Sequence, residues 1–228
     1  SIIMSSFLTP RQYAGGLLNL PYRGLQPPNI GCLKPITQLA DINTLSPLVG
    51  DTLEPLTDAQ ISQISQAAGQ VFASKTYFNL LCALGDINVA YAPNKEGAGE
   101  IFHTGATYTI VMRMKVLGSS VGWSQGVVNY TLIHEMGHVL DNRTGLGQKM
   151  AQNNTITGCF PTYPLKTYCA FHIIPETFAE ANTIYINPGC YPGAATDPDF
   201  AACGTFNFNR EQPQLYDWIR TNVFGGEI

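Results

Sequence analysis

The stretch Gln125-Gly126-Val127-Val128-Asn129-Tyr130-Thr131-Leu132-Ile133-His134-Glu135-Met136-Gly137-His138-Val139-Leu140-Asp141-Asn142 decides how this chain is read. Apolar residues run through it at helical spacing, and Asn142-Arg143-Thr144-Gly145 supplies a stop, so a helix is expected over 125–142. Inside it, His134-Glu135-Met136-Gly137-His138 has the form H-E-x-x-H. Residues four apart share one helix face, so two imidazoles can reach one zinc ion at about 2.0–2.1 Å each. Glu135 is turned off that line and reaches a water at the ion rather than the ion itself, which suits a general base. With 4 His and 8 Glu in 228 residues, a chance match arises only about 0.002 times, and the motif uses half of all the histidines.

Three protein ligands are normal for a catalytic zinc, leaving a position open. The longer pattern with a third histidine fails, because position 141 is Asp and 144 is Thr. Two candidates remain. Asp141 shares the face of both histidines, but its short side chain sits a further turn along; its other role is to orient a ligand or to bond the loop beyond. Glu176 lies downstream in Pro175-Glu176-Thr177-Phe178-Ala179-Glu180-Ala181-Asn182. Pro175 suits a first helical turn, and Glu176 and Glu180 are four apart, so one carboxylate can bind zinc while the other takes a histidine N–H.

Outward from these segments, Thr57-Asp58-Ala59-Gln60 is a capping box opening a helix over 58–73. Ile87–Tyr91 and Thr107–Met114 are β-branched and aromatic and read as strands, with Asn94 to Gly99 a turn between them. Residues 146–173 and 187–210 read as loops, 175–185 as a helix, and 212–223 as a last helix. Residues 1–55, rich in proline, read as an extended arm packed on the domain, and 56–228 as the domain proper. Strands early and helices late give an α+β class.

Composition excludes several roles. Charged residues are 12%, about half the usual share, net charge is −4, and no Lys/Arg cluster occurs, which argues against a nucleic-acid partner. Apolar runs are too short to span a bilayer. The chain opens Ser1-Ile2-Ile3-Met4 without a basic n-region, as expected of the mature form of an exported protein. Six cysteines, none in a CxxC pair, fit disulfides in an oxidising compartment; the expected pairs are Cys32–Cys82, Cys159–Cys169 and Cys190–Cys203. His103 and His172 read as ordinary histidines. Of three glycosylation sequons, at Asn129, Asn142 and Asn153, Asn129 falls within the metal helix and Asn153 lies beyond it.

At His134–Asp141 and at Glu176-Thr177-Phe178-Ala179-Glu180-Ala181 the chain resembles the anthrax lethal factor-like zinc peptidases, a group that includes small secreted Pro-Pro endopeptidases. The resemblance covers mainly residues 130–185, with no evident match before 100. It implies a zincin-like, two-lobed metallopeptidase domain with a small mixed sheet and the HExxH helix. It implies one Zn²⁺ held by His134, His138 and Glu176, with Glu180 and Asp141 in supporting positions and Glu135 as base. The family's oxyanion tyrosine falls one position off: residue 169 is Cys, so Tyr168 is the candidate and Tyr163 the alternative. It further implies that an edge strand before the metal helix pairs with substrate, for which 107–114 is the candidate. The expected function is that of a secreted, monomeric zinc endopeptidase acting on proteins or peptides. The alternative is a secreted binding or toxin-like module that keeps a zinc site and cleaves nothing.

Overall fold

A computed structural model describes residues 30–115, 122–153, 174–188 and 207–228. Tyr163, Tyr168, His172 and the cysteines at 159, 169, 190 and 203 lie outside the described residues. Among the described residues the order is β1 (Leu33–Pro35), α1 (Leu39–Val49), α2 (Asp58–Phe72), α3 (Lys75–Cys82), β2 (Ile87–Tyr91), β3 (Gly97–Thr104), β4 (Thr107–Lys115), α4 (Gln125–Thr144), α5 (Leu146–Ala151), α6 (Ile174–Ile186), α7 (Phe208–Glu211) and α8 (Pro213–Asn222). The class is α+β, with one mixed four-stranded sheet in the order β1-β2-β4-β3.

β4 is the pivot. Its alternate residues divide between two cores: Tyr108, Ile110, Met112 and Met114 face α2, α3, α4, α6 and α8, while Val111 faces a smaller cluster under α1. β4 pairs in parallel with β2 (Val89 opposite Ile110) and antiparallel with β3 (Ile101 opposite Ile110). It is therefore an interior strand. The expectation that 107–114 forms the open edge is corrected: among the described residues the edges are β1 and β3, and β3 covers the outer side of β4. The reason is a two-residue hairpin, Gly105-Ala106, with Gly105 at φ 62°, which folds β3 back onto the outer side of β4. β3 has little periodicity (Gly-Ala-Gly-Glu-Ile-Phe-His-Thr), and its first residues carry a turn signal. It is a strand because β4 offers a free ladder on that side.

The arm also differs from the expectation. Residues 30–55 are not extended chain; they hold β1, paired in parallel with β2, and α1. Ile42, Leu45 and Val49 give α1 one buried stripe, and Gly50 closes it in the left-handed conformation with its N–H on Ser46 O. Pro35, Pro47 and Pro55 mask this stripe in the sequence, and the helix gains its stability by packing on the sheet rather than from propensity. α3, α5 and α7 are likewise helices that sequence periodicity does not reveal, all of eight residues or fewer.

Other expectations match. The Thr57/Gln60 capping box is formed in both directions. α4 runs from an N-cap at Ser124 to a left-handed Gly145, two residues longer than expected. Cys32 and Cys82 are disulfide-bonded, tying β1 to the end of α3. Closing that 50-residue separation is worth about 4 kcal/mol in the chain-entropy model. No helix among the described residues is long and apolar enough to cross a membrane.

α1 is pinned by a buried ion pair. Arg113 on β4 donates to Asp51 at 2.9 Å and to Glu100 on β3 at 2.7 Å, and the Asp51 side chain is only 2% exposed. Asp51→Ala leaves the guanidinium buried with Glu100 alone. The expected loss is about 3 kcal/mol, near the low end for a broken buried pair because Glu100 remains. Urea denaturation of the two proteins measures it.

Candidate metal centre

α4 is buried on nearly every face, packed against α2, α6 and the sheet, so its polar residues are held in fixed directions. His134 is 9% and Glu135 7% exposed. The imidazoles of His134 and His138 meet nearly edge to face, at 79°, with Nε2 atoms 3.2 Å apart. α6 brings the third group. Glu176, in its first turn, sets Oε1 3.1 Å from His134 Nε2 and Oε2 2.8 Å from His138 Nε2. One turn on, Glu180 Oε1 lies 3.0 Å from His134 Nδ1.

The arrangement fits a cation on three counts. Three ligands at about 2.0–2.2 Å from one tetrahedral ion lie about 3.3–3.6 Å apart, so the 2.8–3.2 Å seen here needs to open by only a few tenths of an ångström. Next, with His134 Nδ1–H donated to Glu180, its Nε2 carries a lone pair aimed at the same point as His138 Nε2 and Glu176. Last, Glu180 is 1% exposed and, among the described residues, its Oε2 has no hydrogen-bond partner, so a buried carboxyl stands behind His134. Ligand atoms of His134, Glu135 and His138 also lie within 4.8 Å of one another, so this group can hold a metal ion.

The electrostatics favour an added positive charge. Burial pushes Glu180 up to about 8. Burial likewise raises Glu135, and the two imidazoles only partly offset it. Burial works to raise Glu176 too, but the hydrogen bonds and charge of His134 and His138 hold it far below the usual carboxylate range. For His138 burial works downward, yet Glu176, Glu135 and Asp141 raise it overall. His138 therefore holds its proton more tightly than a free imidazole, and a metal must displace that proton wherever it is bound. Binding should release protons, so affinity should fall as pH drops below the raised His138 value, by up to about tenfold per pH unit for each proton released. Chelator competition at pH 8, 7 and 6, corrected for the chelator's own protonation, checks this; a pH-independent affinity would contradict it.

Of the two candidates for third ligand, Glu176 reaches both histidines. Asp141 does not: its Oδ1 accepts from Gly147 N–H at 2.7 Å, capping the start of α5. His103 is exposed and stacks on Tyr108. Asn129 lies on α4 and its Oδ1 accepts from Gln125.

Sequence reasoning passes over Gly137, inside the motif. α6 crosses here so closely that a Cβ on Gly137 would lie 3.0 Å from Ala179 Cα. A side chain here would press α6 away by a few tenths of an ångström, so the glycine favours the close approach that brings both carboxylates of α6 within reach of the imidazoles. The clue lies in small residues on both helices, Gly137, Ala179 and Ala181, but no local pattern says which helix they will meet. No protein-family model, curated protein or solved structure matches the chain, so its own residues carry the functional reading.

Proposed function

We infer that the chain is a secreted, zinc-dependent endopeptidase of the zincin type. The observation that carries this reading is the convergence of His134 Nε2, His138 Nε2 and the Glu176 carboxylate within 2.8–3.2 Å, with Glu135 beside them. Three protein ligands leave a coordination position open, as catalytic rather than structural zinc sites do. The resemblance of the HExxH helix and the Glu176–Ala181 element to lethal factor-like peptidases favours the same class. The disulfide favours an oxidising compartment.

In this reading His134, His138 and Glu176 hold Zn²⁺, which supplies Lewis-acid polarisation of water and of a peptide carbonyl. Glu180 fixes the His134 tautomer by accepting from Nδ1–H. Glu135 takes the proton of the attacking water on its carboxylate and passes it to the leaving amine. Burial raises its pKa, which strengthens it as a base. The sheet forms one lobe and α4 with α6 the other, and an extended substrate adds to the open side of β3. Tyr168 is the candidate to donate to the oxyanion.

The test is cleavage of an unfolded protein mixture by zinc-loaded and by metal-stripped protein, with fragments read by mass spectrometry. Cleavage by the loaded form alone supports the reading, and the fragment ends give the preferred residues. No cleavage by either form, with one zinc bound per chain, points instead to a zinc-holding binding module.

A further inference from the structure

We propose that Gly99 is a positioning residue for Glu135, an inference that rests on the reading of Glu135 as base. Along β3 the residues alternate between the two faces of the sheet. Phe102 packs on the small cluster under α1, and Glu100 pairs with Arg113. Ile101 packs on the main core, the α4 side. By that alternation Gly99 also faces α4, at the place where another apolar side chain would be expected. Nothing projects there. A Cβ at this point would lie 3.0 Å from Glu135 Cγ, 2.9 Å from Thr131 Cγ2 and 3.2 Å from the carbonyl oxygen of Val111.

The backbone of β3 is thus a roof laid on the methylenes of Glu135. It closes the space on the β3 side of those methylenes, while a carboxylate oxygen of Glu135 lies within 4.8 Å of a ring nitrogen of each imidazole. The sheet is shaped for this approach. Between the pairs Gly97–Lys115 and Gly99–Met112 the ladder slips by one residue, the extra residue lying in β4. There Met114 takes φ 59°, a left-handed conformation rare for a side chain of its size. Such a bulge bends the hairpin, here directly beside Gly99. A strained, buried methionine and a missing side chain on the facing strand together bring β3 down onto Thr131 and Glu135, of which only Glu135 carries a titratable group. Any side chain at 99 meets the hard Val111 carbonyl on one side, so it must displace Glu135 or Thr131.

Four zinc-loaded proteins test this: wild type, Gly99→Ala, Glu135→Ala and the double variant, each measured for zinc content, Tm and, where active, kcat and KM. Gly99→Ala is expected to keep its zinc and its KM and to lose about 10²-fold in kcat, the usual cost of a misplaced catalytic group. The drop in Tm caused by Gly99→Ala should be smaller by about 2–4 °C in the Glu135→Ala background, because the contact is then gone. Equal Tm shifts in both backgrounds, undiminished kcat in Gly99→Ala, or loss of zinc along with activity would each overturn the proposal. If Gly99→Ala folds only when Glu135 is absent, the proposal stands. If it folds in neither background, Thr131 and Val111 are what the glycine accommodates, and the proposal falls. If wild type cuts nothing but the Tm shifts are non-additive, the peptidase reading fails while the positioning contact holds.

Discussion

Glu135→Gln is expected to lower peptide turnover by about 10²–10⁴-fold while leaving one zinc per chain. Gln has the shape of Glu and fits the same buried space under β3, so packing is preserved. It cannot accept a proton, and proton transfer is the task assigned to this side chain. Zinc retention follows from the ligand assignment: the close contacts are among His134, His138 and Glu176, and Glu135 stands to the side of them. The substitution also removes a carboxyl that burial already disfavours in its charged form, so the variant should be at least as stable as wild type. Elemental analysis, thermal unfolding and a fluorogenic peptide assay together test the assignment. Wild-type turnover in a zinc-loaded Glu135→Gln protein would remove Glu135 from the chemistry; loss of zinc would make it a ligand instead.

The second large effect is on the metal. Glu176→Ala should weaken zinc binding by more than about 10²-fold, beyond the 10–100-fold typical of losing a group that only supports a ligand. Two histidines then remain, and the buried Glu180 has no route to the ion because it sits on the Nδ1 side of His134. Asp141→Ala is the matched comparison. Its carboxylate is spent on the Gly147 N–H, so zinc affinity should change little, and the cost should appear in stability as about 1 kcal/mol from the lost cap. Isothermal titration with zinc on both variants separates the two candidates for third ligand. Equal losses would mean that Asp141 shares in binding.

Much of this site is legible in the amino-acid sequence, because its information is local. His134, Glu135 and His138 lie within five residues, and the 3.6-residue period of a helix settles which of them share a face. The same rule puts Glu176 and Glu180 together on α6. The choice between Glu176 and Asp141 is open on spacing alone, since it depends on where α6 crosses α4. The fold is less legible. The long amphipathic helices and the β-branched strands announce themselves, whereas α1, α3, α5 and β3 do not. Each of those is short, proline-bearing or glycine-rich, and owes its conformation to a partner element. The edge position shows the limit clearly: Thr107–Lys115 has the stronger strand signal, yet strength of signal reflects burial on both sides and so marks an interior strand.

Local spacing by itself determined a pair of imidazoles on one helix face, a glutamate beside them, an acidic pair on another helix and the capped ends of α2 and α4. Tertiary structure decided which acidic residue faces the histidines, which strand is open and how closely backbones approach. Those outcomes rest on contacts between residues about 40 positions apart, His134 with Glu176 and Glu135 with Gly99. A helical period can put side chains on a common face, but only packing at Gly137 and Gly99 brings another element up to that face.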